Sequence, residues 1–325
     1  MNWNALADNV LAGQQVSRAE ALAMLGAPDD DLLALLDAAF RIRRNHFGRK
    51  VNLHVIRNAQ SGNCSEDCSF CSQSARSQAE IERYAMESAD ALIVGAQEAA
   101  EVGAVKYCMV TSGRRPSEQV LTAVCAAAGR ISGDMKIKLC VSLGSLTDEQ
   151  ARRLKAAGVT RYNHNLETSR RFFPQICSTH TWDERVATVR RARAAGLEAC
   201  CGGIIGMGET LEDRVDLALA LRDLEVEAIP VNLFNPRAGT PLAGRPVLGA
   251  IEALKVLAMF RLVNPRAELR AAGGREAILG LMQPLALYAV NSIFTQGYLT
   301  TAGQGTNRDL EMLTQAGFEM GQVEG

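Results

Sequence analysis

Apolar and polar positions change rhythm along this chain. In the first 50 residues the period is helical. Ser17 and Glu20 frame a capping box before a short apolar segment, and DDDLLALLDAAFRIRR from Asp29 repeats its apolar residues at three- and four-residue steps. From Val51 onward short β-like runs alternate with helical ones. The runs are VNLHVI from Val51, VKYCMV from Val105, KIKLCVSL from Lys136, VTRYNHNL from Val159, LEACCGGII from Leu197, AIPVNLF from Ala228, AELRA from Ala267 and YAVNSIF from Tyr288. Between them, Thr147 with Gln150 opens a helix that Gly158 closes, and Thr181 with Glu184 opens another that stops near Gly196. Eight strand–helix units in series predict an α/β chain folded as a (β/α)8 TIM-type barrel. A doubly wound open sheet is the alternative, and the near-even spacing favours closure. The pattern divides the chain into an N-terminal helical cap over 1–50, suited to closing the bottom of the barrel, and a barrel domain over 51–325.

Composition narrows the function classes. The 325 residues carry 35 Lys and Arg against 36 Asp and Glu, a net charge of -1 with no basic run, so the chain lacks the cationic footprint of a nucleic-acid binder. Neither a cationic leader before an apolar stretch nor a membrane-spanning apolar segment is expected. Nine cysteines in such a chain point to thiols kept reduced in the cytoplasm as metal ligands or reactive groups, not to a disulfide framework.

In a barrel the loops after the strands carry function. Directly after the first predicted strand comes Ser61-Gly-Asn-Cys64-Ser-Glu-Asp-Cys68-Ser-Phe-Cys71, a CxxxCxxC loop with no fourth Cys or His close by. Three thiolates suit a [4Fe-4S] cluster whose fourth iron is completed by something else. The alternative is zinc with His54 or His46 as fourth ligand, although the spacing matches no ribbon or finger. Three further cysteine positions fall inside separate predicted strands: Cys108, Cys140, and Cys200 or Cys201. Burial alone accounts for single strand cysteines, but three beside a soft-metal loop suggest a second site, and strand alternation admits only one of Cys200 and Cys201 to the interior. Cys125 and Cys177 read as structural. The four histidines, His46, His54, His164 and His180, form no hydrolytic triad or HExxH arrangement. Asn163 and Asn165, two apart in one strand, share a face, and His164 between them is expected on the other.

The loop resembles that of the radical S-adenosylmethionine (SAM) superfamily, and within it the chain is similar to the biotin synthases from the first strand to YLTTAGQ. The likeness rests on KYCMV from Lys106, KLCVSLG from Lys138, RYNHNLETS from Arg161, ACCGGIIGMGET from Ala199, IPVNLF from Ile229, GTPL from Gly239, LRAAGGRE from Leu269 and AVNSIF from Ala289. The resemblance implies an enzyme that converts dethiobiotin to biotin, in which SAM bound to a [4Fe-4S] cluster yields a 5′-deoxyadenosyl radical and an auxiliary [2Fe-2S] cluster gives up the inserted sulfur. It further implies that Cys64, Cys68 and Cys71 hold the first cluster and that Cys108, Cys140, Cys200 and Arg270 hold the second. Phe70 and Ile204 would flank the adenine, Asn165 and Glu167 would reach the ribose, and Arg185 would pair with the methionyl carboxylate. Asn163, Asn165 and Asn232 would bind the ureido ring of the substrate. Glu167 stands where some members have Asp, and Cys201 where many have Ser.

Flavodoxin or ferredoxin as electron donor, iron–sulfur assembly machinery and a homodimer are implied as partners, with neither nucleic acid nor membrane. Two rival readings remain at this level. One is a sister radical SAM enzyme, a rearrangement enzyme or maturase without sulfur insertion. The other is a non-catalytic zinc-binding protein.

Overall fold

Side-chain caps set where the helices begin. In the computed structural model, which describes residues 1–323, the Ser17–Glu20, Thr147–Gln150 and Thr181–Glu184 pairs each form a reciprocal capping box, and Thr210 with Asp213 adds a fourth. The N-terminal segment folds as α1 (Trp3–Leu11), α2 (Arg18–Leu25) and α3 (Leu32–Phe47). The barrel helices are α4 (Ala89–Glu101), α5 (Glu118–Asp134), α6 (Asp148–Ala156), α7 (Trp182–Ala194), α8 (Leu211–Asp223) and α9 (Ala250–Val263). Shorter α10 (Arg275–Leu279) and α11 (Gln283–Ala286) precede α12 (Thr306–Gln315).

Ten strands form one parallel sheet: β1 (Lys50–Gln60), β2 (Lys106–Thr111), β3 (Lys138–Ser142), β4 (Arg161–Asn163), β5 (Glu198–Cys200), β6 (Gly203–Ile205), β7 (Ala228–Leu233), β8 (Glu268–Ala271), β9 (Ser292–Thr295) and β10 (Glu319–Met320). The order runs β1-β2-β3-β4-β5-β7-β8-β9, and β9 returns to β1 through Asn52 opposite Ser292. Closure is therefore real, and the expected eight-stranded barrel is the fold. At its outer edge β10 pairs with the start of β1.

One expected strand differs. LEACCGGII is two segments, β5 and β6, which both pair with β7 and break at Cys201–Gly202. The backbone packs too closely there for a regular run: a Cβ on Gly202 would lie 1.9 Å from the Pro230 carbonyl oxygen, and one on Gly203 2.5 Å from that of Glu167. The run from Val159 is likewise regular only over β4. Beyond it the chain continues against the fifth barrel strand through His164 N to Cys200 O and Leu166 N to Gly202 O.

The N-terminal helices share one apolar core with the C-terminal half of the barrel, α3 packing on α9 and α2 on α8 and α9. Two buried arginines tie this layer to the strands' N-terminal ends. Arg43 of α3 donates to the carbonyls of Lys50 (2.8 Å) and Val290 (3.0 Å), and Arg261 of α9 donates to those of Ala267 and Ala289 (both 2.8 Å). Backbone carbonyls at strand ends are thus paired inside the protein. Among the described residues no helix is long and apolar enough to cross a membrane.

Candidate active site

All fourteen site residues expected from the sequence line one cavity of about 440 Å³ inside the barrel: Cys64, Cys68, Phe70, Cys71, Cys108, Cys140, Asn163, Asn165, Glu167, Arg185, Cys200, Ile204, Asn232 and Arg270. They come from the loop after β1, from six further barrel strands and the segments that continue them, and from α7, which carries Arg185, so only closure brings them together. Short strands keep each thiol in register. Cys108 and Cys140 are direct neighbours across β2 and β3, and Cys200 is opposite Asn163. Because side chains alternate, Cys200 faces the cavity while Cys201 enters the apolar core outside the strands.

Around the strand thiols the chemistry is that of a soft metal site. Hydrogen bonding within the Cys108–Cys140–Cys200 set, together with burial, pushes the thiols of Cys140 and Cys200 above their ordinary range. Bare thiolates are costly there unless a cationic core compensates them. Arg270 comes to 3.8 Å from the Cys200 sulfur through Nη1, and its buried Nε has no partner. Three thiols converging in one cavity beside a guanidinium are a donor set that fits a bound iron–sulfur cluster.

Beneath this layer is a charged floor that the sequence did not disclose. Glu268 is buried with Arg270 Nη2 at 2.5 Å, Arg161 Nη1 at 3.0 Å and His54 Nε2 at 3.0 Å, and Arg161 reaches Glu198 at 2.7 Å. Burial and then the charge of Arg270 push His54 down to about 3, so it is neutral. Burial works against the Glu268 carboxylate, but Arg161, His54 and Arg270 hold it well below the usual range. His54 is committed to this floor, and His46 sits on the last turn of α3. Neither zinc candidate stands at the Cys64 loop.

That loop is docked on the chain before α7. Ser69 N donates to Ile176 O at 2.9 Å, while Asp67 accepts from the amides of Ser178 (2.9 Å) and Thr179 (3.2 Å). Burial pushes Cys71 up to about 11. Phe70 and Ile204 pack against the same small apolar cluster as Cys68, Phe173 and Met207. Arg185, which a helix surface would leave in solvent, is buried instead and reaches Asn165 O at 2.8 Å and Glu167 Oε1 at 3.3 Å. Burial raises the Glu167 carboxyl pKa, and the Arg185 charge offsets part of that. At φ 66° Glu167 occupies left-handed backbone, which turns its carbonyl to accept from Ile204 N at 2.7 Å.

The asparagines form a polar wall. Asn163 Nδ2 donates toward Asn165 Oδ1 and the Cys200 sulfur, each at 3.3 Å, and Asn232 bridges Gly203 O (3.1 Å) and Gly273 N (2.9 Å). His164, expected on the opposite face, lines the cavity as well, because regular alternation stops at Asn163. Cys177, read as structural, lies 3.8 Å from the Cys68 sulfur and 3.3 Å from His180 Nδ1. The Cys177-x-x-His180 spacing was the available signal for it.

Comparison with known proteins agrees with this geometry. The radical SAM superfamily model matches residues 60–221, and the biotin and thiamin synthesis associated domain matches 230–319. Biotin synthase of Salinibacter ruber is 55% identical over 322 residues, covering 99% of this chain and 90% of that protein. Biotin synthase of Bacillus subtilis strain 168 is 49% identical, covering 99% and 96%. Among solved structures, methylornithine synthase superposes with a TM-score of 0.86 at 19% identity over 98% of both chains. A maturase of the [FeFe]-hydrogenase gives 0.82 at 16% over 98% of this chain and 74% of that one. These two likenesses speak to the fold alone.

Proposed function

The chain belongs to the biotin synthase family of radical SAM enzymes, and from that premise we propose how its own residues divide the conversion of dethiobiotin to biotin. Bound in the cavity, SAM and the two iron–sulfur clusters supply an electron, a hydrogen-abstracting 5′-deoxyadenosyl radical and the sulfide that is inserted between two saturated carbons. Cys64, Cys68 and Cys71 would hold the [4Fe-4S] cluster. Cys108, Cys140, Cys200 and Arg270 would hold the [2Fe-2S] cluster. Phe70 and Ile204 supply apolar faces for an adenine. Arg185 offers a guanidinium to the methionyl carboxylate, steadied by Glu167, which with Asn165 faces the ribose.

Asn163, Asn165 and Asn232 present amide donors and acceptors to the ureido ring. The Asn163–Asn165 hydrogen bond and the bonds of Asn232 to the backbone of Gly203 and Gly273 hold those amides in place before substrate arrives, so less ordering is left for binding. Residues 1–50 would act as a helical cap that closes the bottom of the barrel. Flavodoxin or ferredoxin as electron donor, iron–sulfur assembly proteins, a homodimer and a cytoplasmic setting complete the reading. Light scattering tests the dimer, and cluster reduction by each donor tests the electron source.

The observation that carries the site assignment is the meeting of two thiol sets in one cavity, with Arg270 at the second. A radical enzyme without sulfur insertion needs only the first. Anaerobic incubation of the reconstituted enzyme with dethiobiotin, SAM and a reductant, read by mass spectrometry, is expected to yield biotin and 5′-deoxyadenosine together. Deoxyadenosine without biotin, from protein shown to hold both clusters, would overturn it.

A further inference from the structure

We propose that Glu66 and His180 are positioning residues for Arg185, fixing its guanidinium so that one nitrogen stays open to the carboxylate of SAM. Both line the cavity, and neither has a part in the reaction as assigned above. The proposal rests on the assignment of Arg185 to that carboxylate.

Hydrogen bonds run in one direction through the three side chains. Arg185 Nε donates to His180 Nε2 at 3.0 Å. A guanidinium only donates, so Nε2 presents its lone pair and the ring proton sits on Nδ1. Nδ1 in turn is bonded to the Glu66 carboxylate, with Cys177 Sγ beside it at 3.3 Å. Thr179 Oγ1 donates to the same Glu66 oxygen at 2.8 Å, which holds that carboxylate against the ring. Phe173 supports both partners: its ring meets that of His180 edge to face at 5.6 Å and has the Arg185 guanidinium over it at 5.7 Å.

The donors of Arg185 show what this anchoring does. Nε is taken by His180 and Nη1 by Asn165 O at 2.8 Å, which leaves Nη2 without a hydrogen-bond partner among the described residues. Two anchors on different nitrogens of one planar group fix its orientation, so less ordering is left for binding. His180 does this with an uncharged acceptor. A carboxylate in its place would add a second anion beside Glu167, 3.3 Å from Arg185, and offset the charge that a ligand carboxylate needs. Glu66 stands between Cys64 and Cys68, so the loop that would hold the [4Fe-4S] cluster also holds the anchor of this guanidinium.

The test is anaerobic equilibrium dialysis of the full chain, loaded with both clusters, against two probes. S-adenosylhomocysteine carries the amino-acid carboxylate; 5′-methylthioadenosine is an adenosine thioether without it. Iron and sulfide content and circular dichroism verify that each variant is loaded and folded. His180→Leu should weaken S-adenosylhomocysteine about tenfold, the order expected for losing a hydrogen bond to a charged group, and leave methylthioadenosine unchanged. His180→Gln, whose amide oxygen can accept from Arg185 Nε, should keep most of the parent's affinity. Arg185→Leu should weaken S-adenosylhomocysteine at least as much as His180→Leu, and combining the two should cost nothing further. Equal weakening of both probes by His180→Leu, no weakening of either, a loss in His180→Gln as large as in His180→Leu, or additive losses in the double variant would each overturn the positioning role while the Arg185 result stands. If Arg185→Leu leaves the preference for S-adenosylhomocysteine over methylthioadenosine unchanged, the assignment of Arg185 fails and the positioning role falls with it.

Discussion

Removing the Glu268 carboxylate should damage the barrel floor and the auxiliary site above it together. Glu268 is buried and is the shared anion of Arg161, at 3.0 Å, and Arg270, at 2.5 Å. Arg161 keeps Glu198 when it goes, but Arg270 is left without an anionic carboxylate, beside neutral His54 at 3.3 Å, the Cys200 sulfur at 3.8 Å and the face of the Phe294 ring at 4.9 Å. Deleting one member of a buried ion pair costs about 3–5 kcal/mol, because the remaining charge is uncompensated. For 325 residues at about 2.1 cal/mol/K each, the unfolding entropy is about 0.7 kcal/mol/K, so Glu268→Ala should lower the Tm by about 4–7 °C. Glu198 is half-exposed, and Glu198→Ala should cost less than about 1 kcal/mol. The assay is thermal unfolding of the cluster-free chain, followed by iron, sulfide and visible spectra after reconstitution. The Glu268 variant should keep the [4Fe-4S] signal and lose most of the [2Fe-2S] signal, since Arg270 is no longer held. A Tm within about 1 °C of the parent, or equal loss of both clusters, would refute the reasoning.

Three further outcomes are expected. Cys200→Ser should abolish the [2Fe-2S] spectrum and spare the other cluster, whereas Cys201→Ser should spare both and cost about 1–3 kcal/mol for a hydroxyl buried in apolar core, read by urea denaturation. Gly202→Ala should destabilise by more than about 3 kcal/mol or fail to fold, because its Cβ meets the Pro230 carbonyl at 1.9 Å; a soluble variant with an unchanged Tm refutes the close approach. Burial raises the Asp213 pKa, but the Ser169 hydroxyl, the Thr210 amide and Arg171 outweigh it and hold the group below its ordinary value. Its stabilising effect is therefore complete above the unfolded pKa of about 3.9 and lost as pH falls through the lower folded value. Asp213→Asn should be less stable than the parent at pH 7, with the gap closing below about pH 4 in denaturation curves of the cluster-free chain.

Much of the fold was legible because its signals are local. Capping boxes at Ser17, Thr147 and Thr181 depend on residues three apart, and strand alternation allowed only one of Cys200 and Cys201 to face the interior, the resemblance pointing to Cys200. The two thiol sets could be read from the cysteine positions, whereas Arg270 as their companion came only from the family resemblance. The chain's periodicity determined that strands and helices alternate and which residues of a strand share a face.

Tertiary structure decided what meets across the barrel. His54, Arg161, Glu268 and Arg270 come from three strands spread over more than 200 positions, and only closure and the stagger of the strands place them in one floor. Cys177 and His180 reach Cys68 because Asp67 and Ser69 dock one loop on another, a contact no periodicity encodes. The break between β5 and β6 has the same origin, since it answers to the Pro230 and Glu167 carbonyls of other segments. Local chemistry sets the elements; long-range burial and electrostatics set the partners, and those exist only once the barrel has closed.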